Sequence, residues 1–134
     1  MSEPPDPQAA APAPSAFKSR GGLARIWHAF TYSWAGLRAA LRHEAAFRQE
    51  LALGLPLILL APWLAPDRWS ALAMVASVTL VWIVELLNSA LEALADAISL
   101  ERHPLLGRAK DLGSAAVMFS LALVVLTWGV ALWP

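Results

Sequence analysis

The sequence contains no cysteine and no surplus of either charge, and each absence excludes a class of function. Without cysteine, the chain has neither a disulfide framework nor a thiolate metal site. Ten basic residues balance ten acidic residues, so the formal net charge is zero and we expect no nucleic-acid partner. The sequence also lacks the G-x-x-x-x-G-K-[ST] phosphate loop and the glycine-rich loop of soluble protein kinases, which excludes both of these nucleotide-binding folds.

The chain has instead a large hydrophobic excess, since 58% of its 134 residues are hydrophobic and only 15% are charged. This excess is collected in three blocks, residues 51–66, 70–95 and 112–133. The second and third blocks are long enough to cross roughly 30 Å of hydrocarbon at ~1.5 Å per residue. The first block is short and is interrupted by Pro56 and Pro62, so it must extend backwards to cross. We predict an all-α membrane protein with spans over residues 47–66, 70–98 and 111–133.

The distribution of basic residues predicts the orientation of these spans. Six of the ten precede the first hydrophobic block: Lys18, Arg20, Arg25, Arg38, Arg42 and Arg48. Only Arg68 lies between the first and second spans, three lie between the second and third, and none follows the third. Because basic residues favour the cytoplasmic side, the pattern predicts a cytoplasmic N-terminus and a C-terminus on the outer side.

The segment before the spans divides into a tail and a helix. Residues 1–20 are rich in proline and alanine, and we predict a disordered tail ahead of a single domain over residues 21–134. In residues 22–43, apolar side chains repeat at steps of three and four, which predicts an amphipathic helix. An apolar stripe with tryptophan and flanking arginines fits a helix in the cytoplasmic membrane interface. A helix that only packs on the spans fits equally well, and the sequence leaves both interpretations open.

The second predicted span carries a polar stripe. At ~100° per residue, five polar side chains fall within an arc of about 100°: Glu85, Asn88, Ser89, Glu92 and Asp96. A carboxylate near hydrocarbon costs several kcal/mol unless it is paired, hydrated or bound to a metal. Hydrogen bonds between helices would account for Asn88 and Ser89, but not for three acids that repel one another. The stripe therefore favours a functional site that includes a cation.

Two further polar sets lie at the same predicted membrane face. Residues 42–50 include Glu44, Arg48 and Glu50, and the spacing of Glu44 and Arg48 also fits a simple surface ion pair. Residues 101–114 include acids, bases and a glycine, and by themselves they read as a solvated loop. Taken together, acids that hold Mg²⁺ and bases that meet phosphate are the groups that phosphoryl transfer requires.

Four motifs in this order resemble the signatures of the bacterial integral-membrane diacylglycerol kinases: TYSWAGLRAA (31–40), EAAFRQE (44–50), VELLNSALEALAD (84–96) and GRAKDLGSAAV (107–117). The resemblance implies a homotrimer in the bacterial inner membrane, with active sites between neighbouring subunits at the cytoplasmic face. It implies transfer of the γ-phosphate of MgATP to the primary hydroxyl of diacylglycerol, which gives phosphatidate.

The resemblance also implies roles for individual residues. Glu85 would be the general base with support from Asn88, while Glu44 and Glu92 would hold Mg²⁺ at the ATP phosphates and Asp96 would support the site. The implied nucleotide-binding residues are Arg25, Tyr32, Glu44, Glu92, Glu101, Arg102, His103, Lys110 and Asp111. The implied lipid-binding residues are Arg25, Arg38, Arg48, Trp63, Glu85 and Ser114.

Two other functions fit parts of the same pattern. Related kinases of this scaffold phosphorylate undecaprenol, and neither charge nor periodicity distinguishes the two lipids. A small ion- or proton-conducting oligomer would use Glu85, Glu92 and Asp96 as a relay. Such a relay has no need for Glu44 or for the Lys110–Asp111 pair, so the sequence favours the kinase.

Overall fold

The computed structural model describes residues 22–101 and 103–134. For residues 23 and 24 it describes the backbone alone. The predicted tail, residues 1–20, and the predicted nucleotide contact Arg102 lie outside the described residues. The chain forms the helices α1 (Gly22–His43), α2 (Ala45–Leu64), α3 (Arg68–Ile98) and α4 (Pro104–Leu132). This architecture confirms the predicted all-α class.

Helices α2, α3 and α4, with 20, 31 and 29 residues, are each long and apolar enough to cross a membrane. The prediction of three candidate spans is therefore confirmed. Prolines at positions 56 and 62 lie inside α2, where each lacks the N–H that an uninterrupted helix would donate. Many large apolar side chains on these helices are exposed, as in Leu53 (72%) and Val125 (72%). Such a surface suits contact with lipid or with another apolar helix.

The chain divides into two compact units after Ala35, within α1. In the first unit, residues 22–35 expose large aromatic side chains: Trp27, Phe30, Tyr32 and Trp34. Trp27 stacks on Phe30 with ring centroids 6.2 Å apart, and His28 stacks on Tyr32 at 6.3 Å. The contact of this aromatic surface with the membrane interface stays a prediction.

The first turns of α3 and α4 are held by capping side chains. The Asp67 carboxylate accepts hydrogen bonds from the backbone N–H groups of Trp69 at 2.7 Å and Ser70 at 3.1 Å. His103 Nδ1 accepts from the N–H of Leu105 at 3.3 Å, and a proline follows His103 at the first helical position. These signals begin α4 at Pro104, so most of the segment that we predicted as a loop, residues 101–114, is helical.

In the second unit, α3 packs against both α2 and α4. Next to the α2–α3 turn, four buried residues form a hydrophobic core: Ala61, Met74, Val78 and Trp128. The indole Nε1–H of Trp128 donates to the carbonyl of Met74 at 3.3 Å, which satisfies the polar atom of this side chain. The core therefore fixes the three helices at one end, and the polar residues lie towards the other end of α3.

Candidate active site

The polar stripe of α3 faces into the bundle at its Glu85 end. Glu85 is only 4% exposed, Asn88 and Glu92 are half-buried, and the Asp96 side chain is 54% exposed. The carboxylate of Glu85 lies close enough to those of Glu44 and Glu92 for their charges to repel. The stripe therefore runs from a buried acid to an exposed acid within one face of one helix.

Glu50 on α2 is an acid that the sequence analysis did not assign to the site. Its Oε2 atom is buried without a hydrogen-bond partner in the described part of the chain, and its charge interacts with that of Glu85. A signal was present, because Phe47, Glu50 and Gly54 are spaced by three and four residues and share the inward face of α2. We call Glu44, Glu50, Glu85 and Glu92 the carboxylate cluster.

Asn88 links the cluster to α4. Its Nδ2 donates to Glu92 Oε1 at 3.2 Å, which orients that carboxylate. Its Oδ1 is buried without a partner among the described residues and points at the backbone of Gly113, where an added Cβ would overlap it. Gly113 therefore allows α4 to approach α3 at the level of Asn88. An unsatisfied buried polar atom costs about 1–3 kcal/mol, so the lack of partners for Asn88 Oδ1 and Glu50 Oε2 in the described part of the chain lowers its stability.

A cavity of about 440 Å³ lies where α3 ends and α4 begins. Four of its lining residues are polar residues that the sequence analysis singled out: Asp96, Glu101, His103 and Lys110. Lys110 Nζ lies 3.1 Å from Asp96 Oδ1, and its charge also interacts with that of Glu92. The cavity therefore begins about one turn of α3 beyond Glu92, and Lys110, which lines it, is within electrostatic range of that carboxylate.

The other predicted site residues are more scattered. Asp111 and Ser114 are exposed on α4, one and four residues after Lys110. Arg25 and Tyr32 are exposed in the unit that ends at Ala35. Trp63 is 79% exposed and lies roughly 20 Å further along α2 than Glu50, at ~1.5 Å per residue. Within this chain, Trp63 is therefore not brought to the carboxylate cluster.

The two predicted arginines of the second unit, Arg38 and Arg48, are exposed. Arg48 forms no ion pair with Glu44 in the described structure, so that alternative is wrong here. Its Nη1 instead donates to the carbonyls of Leu41 at 3.5 Å and Arg42 at 3.4 Å. These carbonyls are in the last turn of α1, where a helix lacks internal donors and favours a cation.

The described residues include no group of three or more His, Asp or Glu side chains placed to hold a metal ion on their own. Glu44 and Glu92, which the resemblance implies as metal ligands, both lie within electrostatic range of Glu85. Two carboxylates leave most positions around a magnesium ion for other oxygens, as is usual where a nucleotide supplies them. The donor set fits a metal that arrives with phosphate.

Comparisons with known proteins agree on one family. The family described as prokaryotic diacylglycerol kinase matches residues 31–132. The diacylglycerol kinase of Escherichia coli strain K12 is 51% identical over 112 residues, covering 84% of this chain and 92% of the relative. That of Pseudomonas aeruginosa is 50% identical over 119 residues, covering 89% and 97%. That of Haemophilus influenzae is 44% identical over 108 residues, covering 81% and 92%.

Proposed function

The chain belongs to the prokaryotic diacylglycerol kinase family, and we propose that it transfers the γ-phosphate of ATP to diacylglycerol, giving phosphatidate and ADP. The observation that carries this proposal is the arrangement at the end of α3. A buried carboxylate, Glu85, lies on the same face of α3 as Glu92 and Asp96, and Asp96 lines a cavity that also contains Lys110. A lipid hydroxyl suits the buried end of this face, and a water-soluble nucleotide suits the exposed end.

In the proposed reaction, the oxygen of the lipid hydroxyl attacks the γ-phosphorus. Glu85 accepts the proton of that hydroxyl during the attack. The new P–O bond forms while the bond to the β-phosphate bridging oxygen breaks, and ADP leaves with that oxygen. A general base contributes roughly 10²–10⁴-fold to such a step. Burial supports this role for Glu85, because a buried site keeps water away from the attacking oxygen.

Other residues are proposed to hold the nucleotide. The Glu44 and Glu92 carboxylates are oxygen donors that suit Mg²⁺, which would neutralise phosphate charge and orient the transferred group. Asn88 keeps Glu92 oriented through the 3.2 Å hydrogen bond, and Asp96 holds Lys110 at 3.1 Å towards the cavity. The remaining proposed nucleotide contacts are Arg25, Tyr32, Glu101, Arg102, His103 and Asp111.

The proposed lipid contacts are less specific than the proposed nucleotide contacts. Ser114 and Arg48 lie nearest in sequence to the cluster and cavity residues, and with Arg25 and Arg38 they are proposed to contact the lipid head. Trp63, far along α2, is proposed to contact the acyl chains. We further propose a homotrimer in the inner membrane with a cytoplasmic N-terminus, in which neighbouring subunits complete each site.

One assay tests the proposed activity and the choice of lipid. The protein is purified in mixed micelles with γ-labelled ATP, Mg²⁺ and either diacylglycerol or undecaprenol. We expect label in phosphatidate. Label found only in undecaprenyl phosphate would overturn the substrate, and folded protein that labels neither lipid would overturn the kinase assignment.

A further inference from the structure

The contact between α2 and α3 contains a close fit between a glycine and a tryptophan. Gly54 is buried, and a Cβ added to it would lie 2.7 Å from Val78 Cγ1, 2.9 Å from Trp82 Cζ2 and 3.0 Å from Trp82 Nε1. Real Cβ atoms essentially never come within 3.0 Å of such atoms. The indole of Trp82 therefore occupies space that exists because residue 54 has no side chain.

The same indole is hydrogen-bonded to the carboxylate cluster through the backbone. Trp82 Nε1–H donates to the carbonyl oxygen of Glu50 at 3.1 Å, across the contact between the two helices. Glu50 precedes Gly54 by four residues, so this carbonyl is also the acceptor that α2 offers to the Gly54 N–H. The tryptophan thus binds the backbone of the residue whose carboxylate faces Glu85.

The position of Trp82 on α3 connects this contact to Glu85. Residues 82 and 85 are three apart and lie on neighbouring positions of one helix face, as do residues 50 and 54 on α2. The fit of Trp82 on Gly54 and the approach of Glu50 to Glu85 therefore occur side by side along the same contact. A slide of α2 by one residue would shift Glu50 by ~1.5 Å and turn it by ~100°.

We propose that Trp82, packed against Gly54, is a positioning residue. It holds the Glu50 carboxylate beside Glu85, where the proposed reaction takes the proton of the lipid hydroxyl. This inference rests on the proposed function. Trp82 touches no reacting atom and acts through the backbone of α2. Small misplacements of reacting groups cost up to ~10²-fold in rate, so loosening this contact lowers turnover more than it weakens nucleotide binding.

The chain offers a matched control for the loss of one indole N–H. Trp128 makes an equivalent hydrogen bond, to the Met74 carbonyl at 3.3 Å, in the hydrophobic core. We compare Trp82→Phe with Trp128→Phe for thermal midpoint, kcat and KM for ATP. Both variants should lose stability by similar amounts, but only Trp82→Phe should lower kcat, by roughly 10-fold with KM for ATP within about 2-fold. Equal kcat values in the two variants would overturn the inference.

A second pair tests the glycine. Gly54→Ala should lower kcat, whereas Gly129→Ala, in open space on α4, should not. The new methyl group of Gly54→Ala also meets Val78, but it shares its Trp82 contact with Trp82→Phe, so the two effects on kcat should combine to less than their product in the double variant. Multiplying effects would place the two residues in separate contacts and contradict the pairing.

A wild-type chain that makes no phosphatidate would overturn the proposed function itself, whereas an active wild type with unaltered Trp82→Phe turnover would overturn only this inference.

Discussion

The two ends of the α2–α4 bundle differ in how their buried polar atoms are satisfied. In the hydrophobic core next to the α2–α3 turn, Ser77 Oγ and Trp128 Nε1 both donate to the Met74 carbonyl, at 2.8 and 3.3 Å. In the carboxylate cluster and the neighbouring Asn88, the Oε2 of Glu50 and the Oδ1 of Asn88 are buried without partners in the described part of the chain. The core end is thus complete within one chain, whereas the cluster end is not.

This difference suggests that residues at one end of α3 contribute mainly to stability and residues at the other end mainly to function. Helices in lipid associate through close packing and hydrogen bonds, and the core end supplies both. The cluster end brings like charges together and leaves acceptors unpaired, which lowers stability unless a cation and hydrogen-bond donors arrive. We therefore expect substitutions at the core end to change stability, and substitutions at the cluster end to change catalysis.

Glu85→Gln should give the largest effect on catalysis. The amide keeps the size of the side chain but cannot accept the hydroxyl proton, so kcat should fall by roughly 10²–10⁴-fold. MgATP affinity, measured by equilibrium binding, should change little. The matched control is Ser77→Ala, a buried polar residue of the same helix at the core end, which should retain turnover. Near-normal turnover in Glu85→Gln would show that Glu85 is not the general base.

Met74→Ala should show the opposite pattern. Met74 is fully buried in the core, and its truncation leaves a cavity. Because lipid replaces water as the solvent, we expect about 2–3 kcal/mol of destabilisation, the lower part of the range for such changes in soluble proteins. Thermal unfolding in detergent measures the loss, and kcat per folded molecule should stay close to wild type. A large fall in that kcat would show that the two ends are not separable.

Much of this contrast was predictable from the sequence, because polar residues inside an apolar helix are conspicuous. The stripe from Glu85 to Asp96 stands out at helical periodicity, and the structure places its deepest member inside the bundle. Glu50 stood among the polar residues at this membrane face but received no role, because a single acid at the edge of an apolar block is ordinarily interpreted as solvated. Its burial depends on how α2 rotates against α3, which no local pattern specifies.

The start of α4 and the contacts of single residues were also beyond the sequence analysis. The segment from Pro104 reads as a loop by composition, yet the His103 cap and the proline start a helix there. The approach of Asn88 to Gly113 depends on the distance between two helices. Spacing within one helix carries no information about that distance, so Gly113 looked no different from glycines in open space.

Gly113→Ala sharpens the comparison at the cluster end. The new methyl group would overlap Asn88 Oδ1, so Asn88 must turn and the hydrogen bond to Glu92 is disturbed. We expect MgATP affinity to weaken by roughly 10-fold, or ~1.4 kcal/mol. Gly129→Ala, also on α4 but in open space, is the control and should leave affinity unchanged. Equal affinities for the two variants would mean that Asn88 does not orient Glu92 for the metal.

The smallest effect should come from Asp67, which lies outside the spans at the core end. Three hydrogen bonds, from the Ser70 hydroxyl and from the N–H groups of Ser70 and Trp69, hold the pKa of Asp67 below its ordinary value of 3.8. A lowered pKa in the folded state means that the stabilisation is fully present above that ordinary value and is lost as pH falls through the folded-state value. The thermal midpoint of Asp67→Ala should therefore lie slightly below wild type near neutral pH, and the two midpoints should converge as the medium is acidified below pH 3.8. A difference that persists unchanged in acid would mean that the cap contributes through shape rather than charge. The value of kcat at neutral pH should be the same for both proteins, because Asp67 lies at the opposite end of α3 from the polar stripe.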